Sequence, residues 1–391
     1  MSISTRTTER NIYIYIAAIS AVLNAVLLVA PILASKLSAD LGLEPAQVGL
    51  IASVELGCFS LATVPAFLWL RKVNIRKLTF WCLLVVITGN VLSSMTDSFG
   101  SLLAVRAVTS FAAGSIIVVI LSLSAKAANP SRAYGLFVVS QLAMGAIILF
   151  LFPVIYAQRS VSAVYLTLAA LAALCLFCTL CVKGNELHAV PGERAAVQRR
   201  VFPFACALIA VLGFYVALGG VWTFMGQIAI ASQIPLDTAS SMIGIATLFG
   251  VAASFVSTLV GENSRARYFV LGGFVLMGIS IAFLYGMPGL IRFVLAAVLF
   301  KIAWSWLLPF LLAEVSRVGG PQVMNATNMV IGGGLAIGPM LAGTILQTTG
   351  SFTVMLTVAL SILAVAVLAS LVVFRAANVS ADEPEQQSVT A

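Results

Sequence analysis

Twelve apolar runs, each near or above the roughly 20 residues a helix needs to cross a bilayer, occupy almost all of this 391-residue chain. They fall at roughly 11–36, 47–70, 77–96, 99–126, 132–157, 161–183, 201–230, 238–260, 267–286, 288–314, 321–347 and 351–375. In hydrocarbon each backbone N–H and C=O must be satisfied within the spanning structure, so runs of this length dictate helices. Only 9% of the residues are charged and mean hydropathy is +1.11, whereas soluble domains carry about 25% charged residues. A bundle with a wetted surface is excluded, and the chain is read as an all-α membrane protein.

The first run is too long for the core of a signal peptide and is expected to remain as the first span. Connections as short as Thr96-Asp97-Ser98 and Thr348-Thr349-Gly350 make consecutive helices antiparallel neighbours. Positive charge follows the loops in alternation. With the N-terminus in the cytoplasm, sixteen of the 21 Lys and Arg residues fall on that side, and only Lys36, Arg159 and Arg292 fall outside. This bias sets both termini in the cytoplasm of an inner (plasma) membrane protein. The net charge of +8 is therefore a topology signal, and nucleic acid is not an expected partner. Trp69 and Trp81 read as interfacial anchors on the cytoplasmic side.

The longest hydrophilic break, 184–200, divides the chain near its middle. At an offset of 193 residues Leu43-Glu44-Pro45-Ala46 falls on Leu236-Asp237-Thr238-Ala239, and Gly57 on Gly250. The acidic residue in each copy is placed to cap exposed N–H groups. The basic loop 71–77 corresponds to 263–267, and at an offset of 191 Pro130 falls on Pro321. The expected plan is an N-terminal six-helix half (1–183), a cytoplasmic central loop (184–200), a C-terminal six-helix half (201–375) and a disordered cytoplasmic tail (376–391). Repeated halves of this kind are typical of secondary transporters.

Several stretches resemble the major facilitator superfamily, and the likeness runs over essentially the whole chain. Asp40-Leu41-Gly42-Leu43-Glu44-Pro45-Ala46-Gln47-Val48-Gly49 is similar to the family's segment between spans 1 and 2. Arg71-Lys72-Val73-Asn74-Ile75-Arg76-Lys77-Leu78 is similar to its basic loop between spans 2 and 3, with Arg71 where an Asp is usual and Asn74 where a Gly is usual. An Asn can still take a left-handed turn there. Span 4 carries Arg106-Ala107-Val108-Thr109-Ser110-Phe111-Ala112-Ala113-Gly114, like the family's membrane Arg followed by small residues. The family's antiporter pattern of Gly-Pro followed by further Gly late in span 5 is missing: Gly145 and Pro153 stand eight apart. Glycines instead enrich span 11, at 332–334, 338 and 343. The resemblance implies twelve transmembrane helices in two pseudo-symmetric halves. It also implies alternating access and a gating role for the basic loop residues Arg71, Lys72, Arg76 and Lys77.

Three charges lie deep within apolar runs: Glu55, Arg106 and Lys301. An ionised group at such depth is costly and usually faces a watery cavity or a partner. At 1.5 Å per residue, Glu55 lies about 12 Å and Arg106 about 10 Å into helices that both start at the outer face. The two can therefore pair. Burial favours a neutral carboxyl and a nearby guanidinium favours a charged one, so such a pair can load and release a proton. A static structural pair is the alternative. Arg106, Ser110 and Gly114 are spaced by four and share a helix face, where small residues let another backbone approach. Lys301, with Trp304 and Ser305 on its face, is read as a substrate site for a carboxylate-bearing, ring-containing solute. Snorkelling is the alternative. Asn24, Gln141 and Asn328 complete the substrate-site candidates, with Gln227 and Asn325 as further neutral polar positions.

Cys175, Cys178 and Cys181 form C-x-x-C-x-x-C, but with no fourth ligand in reach they read as small packing residues. His188 lies in the hydrophilic break and reads as solvated. No Walker-type G-x-x-x-x-G-K-[ST] and no H-E-x-x-H occurs, so neither ATP hydrolysis nor metal chemistry is expected, nor any cofactor or enzymatic activity. The sequence reads as a monomeric secondary transporter of a small organic solute, an organic anion if Arg106 and Lys301 face the cavity, coupled to protons. A drug or metabolite:proton efflux antiporter is the alternative within the class. A non-transporting sensor or assembly factor on the same fold is the alternative outside it, and would tolerate neutralisation of the intramembrane charges.

Overall fold

A computed structural model describes residues 3–70, 72–184, 187, 201–260, 266–319 and 324–389. Among these residues the chain forms α-helices and no strand. In chain order they are α1 (Ile3–Leu23), α2 (Ala25–Leu41), α3 (Pro45–Leu61), α4 (Thr63–Trp69), α5 (Ile75–Ser94), α6 (Phe99–Lys126) and α7 (Pro130–Ile155). They continue with α8 (Val161–Cys178), α9 (Val201–Ala231), α10 (Leu236–Val260), α11 (Ala266–Phe283), α12 (Leu290–Gly319), α13 (Met324–Thr349) and α14 (Phe352–Val389). Eleven stretches are long and apolar enough to span a bilayer, and the shorter Arg267–Phe283 makes the twelfth.

Two spans are broken, and proline chemistry accounts for one break directly. Pro65 has no N–H for the carbonyl of Leu61, and the chain interrupts at Ala62 between α3 and α4. Asn24 separates α1 from α2 at φ −89°, ψ −4°, seven residues before Pro31. Asn74 differs from expectation: at φ −69°, ψ 105° it is extended and not left-handed, and its Oδ1 caps α5 by accepting from Lys77 N at 3.0 Å. The last helix runs to Val389, through the segment expected as a disordered tail. Most of the central break, including His188, Arg194, Arg199 and Arg200, lies outside the described residues, as do Arg71 and Pro321.

The halves meet through exchanged pairs. The second span of the first half (α3) packs along the fifth of the second (α13), and the fifth of the first (α7) packs along the second of the second (α10). The two first spans meet as α2 against α9. The α3–α13 seam depends on backbone proximity: a Cβ on Gly49 would overlap the Pro339 carbonyl, and one on Gly343 the Pro45 carbonyl. Glu44 does not use its carboxylate on its own helix alone. It accepts from the Gln347 side chain across the seam, and Gln347 Oε1 accepts from Ala46 N at 3.1 Å. This closes one end of the bundle. Towards the other end residues of α6, α7, α12 and α13 line a central cavity.

Candidate functional site

The cavity holds about 790 Å³, within the range of small-molecule sites. It runs from Asn24, Glu55, Asn90 and Arg106 at its blind end to Ala125, Tyr134, Phe137 and Leu312 at its mouth. Most of its wall is apolar, with its two charged residues, Glu55 and Arg106, at the blind end. Arg106, Ser110 and Gly114, which share a helix face, all line it, and a Cβ on Gly114 would overlap the Phe59 carbonyl oxygen of α3. That close approach of α6 to α3 brings the two charges together.

Arg106 Nε donates to Glu55 Oε1, an ion pair with Arg106 2% and Glu55 5% exposed. Arg106 Nη1 donates to Asn90 Oδ1 at 2.9 Å, and the guanidinium carbon sits 5.0 Å from the centre of the Tyr165 ring. Asn90 is held in turn by donating to the Val86 carbonyl at 2.9 Å. One guanidinium thus engages a carboxylate, an amide oxygen and a π face, each fixing part of its plane. Tyr165 Oη has no hydrogen-bond partner among the described residues, so its contribution is the ring.

Asn90 and Tyr165 are missing from the sequence reading. Asn90 carried a usable signal, because it lies four residues before the end of α5 while Arg106 lies seven after the start of α6. The two therefore lie about 6 Å and about 10 Å from the same face across one short turn, a gap a long Arg side chain can bridge. Tyr165 carried no signal, since a tyrosine in an apolar run is ordinary.

The other candidates separate. Asn24 lines the cavity, with Nδ2 donating to the Ser20 carbonyl at 3.0 Å. Lys301 and Trp304 do not line it, which corrects the cavity-facing expectation. Lys301 is 1% exposed, and its Nζ lies 3.6 Å from the Trp222 ring centre and 4.6 Å from that of Trp304. Gln141 is half-buried on α7, off the cavity wall. The backbone of Asn328 belongs to α13, and its side chain lies outside the described residues. Gln227 reaches across the halves to the Ala34 carbonyl at 3.5 Å. Lys72, Arg76 and Lys77 stand exposed, and Ile75 N ties their loop to the Gly184 carbonyl at 2.9 Å. Cys175 Sγ approaches the Ala18 carbonyl at 3.7 Å, in keeping with packing. No group of three metal-ligating side chains occurs among the described residues.

Two related six-helix halves around a central cavity that is closed at one end, with the charged groups at its blind end, define a multi-pass membrane transporter. The family follows from sequence: residues 14–211 match the model of the Major Facilitator Superfamily, and the chain belongs to that family. It is a transporter of small molecules and not an enzyme.

Solved structures share the fold. The nucleoside transporter NupG, in a point-mutant form, superposes with a TM-score of 0.74 at 14% identity, covering 94% of this chain and 99% of that one. A bacterial homolog of the human lysosomal transporter Spinster, inward-facing and occupied, gives 0.73 at 13% identity over 97% and 98%. The human organic anion transporter MFSD10 gives 0.65 at 14% identity over 94% and 99%.

Proposed function

We propose that the chain is a proton-coupled secondary transporter of a small, amphipathic organic anion in the inner membrane. Both termini are placed in the cytoplasm, so the present conformation opens inward. The observation that carries the reading is the Glu55–Arg106 pair at the blind end of the cavity. Arg106 remains charged at any working pH, but its Nε is already committed to Glu55. An incoming carboxylate must compete with Glu55 for the guanidinium. A displaced Glu55, 5% exposed, is then a buried carboxylate without its partner, a costly state that protonation relieves. Anion and proton therefore bind together and leave together. The apolar wall with Phe59, Phe137 and Tyr215 suits the hydrocarbon or ring of such a solute.

The same wall favours a second reading, efflux of a lipophilic cation or neutral compound that competes for Glu55 and expels its proton. The sign of the coupling separates the two. In proteoliposomes screened with aromatic monocarboxylates and with lipophilic cations, symport predicts accumulation when the outside is acidic. Antiport predicts accumulation when the inside is acidic. Glu55→Gln should keep exchange of labelled solute across the membrane while a pH gradient no longer drives net accumulation. Gradient-driven accumulation by Glu55→Gln equal to wild type would remove Glu55 from coupling.

A further inference from the structure

At mid-membrane depth, off the cavity wall, α12 holds a cation that the Glu55–Arg106 chemistry does not use. Among the described residues no hydrogen-bond acceptor reaches Lys301 Nζ. The faces of Trp222 and Trp304 attract the ammonium, but they leave its three N–H donors without the oxygen acceptors a carboxylate or water would offer. Such a cation is held by shielding.

The shield is also a latch. Trp222, on α9, donates its Nε1–H to the Leu27 carbonyl of α2 at 2.8 Å, across the seam between the halves. Leu27 has that carbonyl to spare because Pro31, four residues on, has no N–H to give it. One indole therefore covers Lys301 with its face and closes the seam with its edge. Leu27 itself lines the cavity, so the latch sits beside the blind end of the site.

Exposing the site to the other side of the membrane requires α2 and α9 to part, which breaks the Trp222–Leu27 bond and leaves the indole held only by ring contacts with Phe300 and Trp304 in its own half. We propose that Lys301 is an anion-binding site of the outward-open conformation, uncovered when Trp222 releases Leu27. Counted from the outer face it lies about 16 Å along α12, deeper than Arg106 at about 10 Å along α6, so a carboxylate entering there passes the level of Arg106 before it reaches Lys301. The aromatic flank of Trp304 suits a carboxylate carried on a ring. This inference rests on the anion-transport reading above and adds a second site, reached from the opposite side.

The test is acetylation of Lys301 in proteoliposomes of the full chain by a membrane-impermeant amine reagent, read by mass spectrometry of its peptide, with benzoate as the probe. Wild type should label slowly, and benzoate should slow it at least twofold further. Trp222→Phe keeps a ring over Lys301 but loses the latch. It should label roughly two- to tenfold faster, the change in closed population that one lost hydrogen bond produces. Pro31→Ala, which restores a helical donor to the Leu27 carbonyl in competition with Trp222, should also label faster and leaves the cage intact. Equal labelling of wild type and both variants, or labelling indifferent to benzoate, would make Lys301 a static packed cation and overturn the inference. Loss of pH-driven accumulation in Glu55→Gln alongside that result would leave the coupling reading standing alone.

Discussion

The pair of charges at the blind end of the cavity should show itself as a stability asymmetry. Glu55→Leu leaves Arg106 buried with a charge it cannot shed. Removing one partner from a buried ion pair costs about 3–5 kcal/mol. The loss should fall near the lower figure, because Asn90 at 2.9 Å and the Tyr165 face at 5.0 Å remain. Arg106→Met leaves a carboxyl that can neutralise itself by taking a proton, so its cost should approach that of one unsatisfied polar group, about 1–3 kcal/mol. The double variant removes both charges, and an apolar pair there should return to within about 1 kcal/mol of wild type or exceed it. Independent sites add to within about 0.3–0.5 kcal/mol, so a coupling of several kcal/mol is unmistakable. The assay is SDS titration in mixed micelles followed by far-UV circular dichroism on all four proteins. Additive single effects, or a larger loss for Arg106→Met than for Glu55→Leu, would refute the electrostatic account of the site.

Two further outcomes follow from local geometry. Gly114→Ala drives a methyl into the Phe59 carbonyl and should destabilise by about 1–3 kcal/mol in the same titration, whereas Gly135→Ala, with open space around it, should be near neutral. Tyr165→Phe should leave both stability and exchange activity unchanged, because Oη has no partner among the described residues. Tyr165→Leu removes the ring facing Arg106 and should cost about 2 kcal/mol.

The twelve spans and their division into halves were legible because hydrocarbon leaves the backbone no alternative to helix, and most helix limits fall within two or three residues of the apolar runs. The Glu55–Arg106 pair was legible for a related reason. Both helices begin at the same face, and residue counts convert directly to depth. Asn90 follows from the same count. What counting cannot supply is rotation about the helix axis. Lys301 has a sound mid-membrane depth, yet its side chain turns into the packed contact among α9, α10 and α12 and away from the cavity. Lys301, Trp304 and Ser305 define a shared face of α12, but the sequence does not say which neighbour that face meets.

Prolines partly restore the missing information. A proline within a span identifies the one carbonyl, four residues earlier, that must find a partner outside its own helix. Pro31 selects Leu27 in this way, and the donor that answers is Trp222 of the opposite half. The α2–α9 seam is thus joined by a hydrogen bond that neither helix can replace internally. At the α3–α13 seam close backbone contact at Gly49 and Gly343 accompanies the hydrogen bonds that Gln347 makes to Ala46 and Glu44. A directional bond breaks over a short displacement, whereas packed backbones can slide. On that ground an opening motion must break the bonds of Gln347 at the α3–α13 seam and, at the α2–α9 seam, that of Trp222. That same side chain covers the buried Lys301 of the second half.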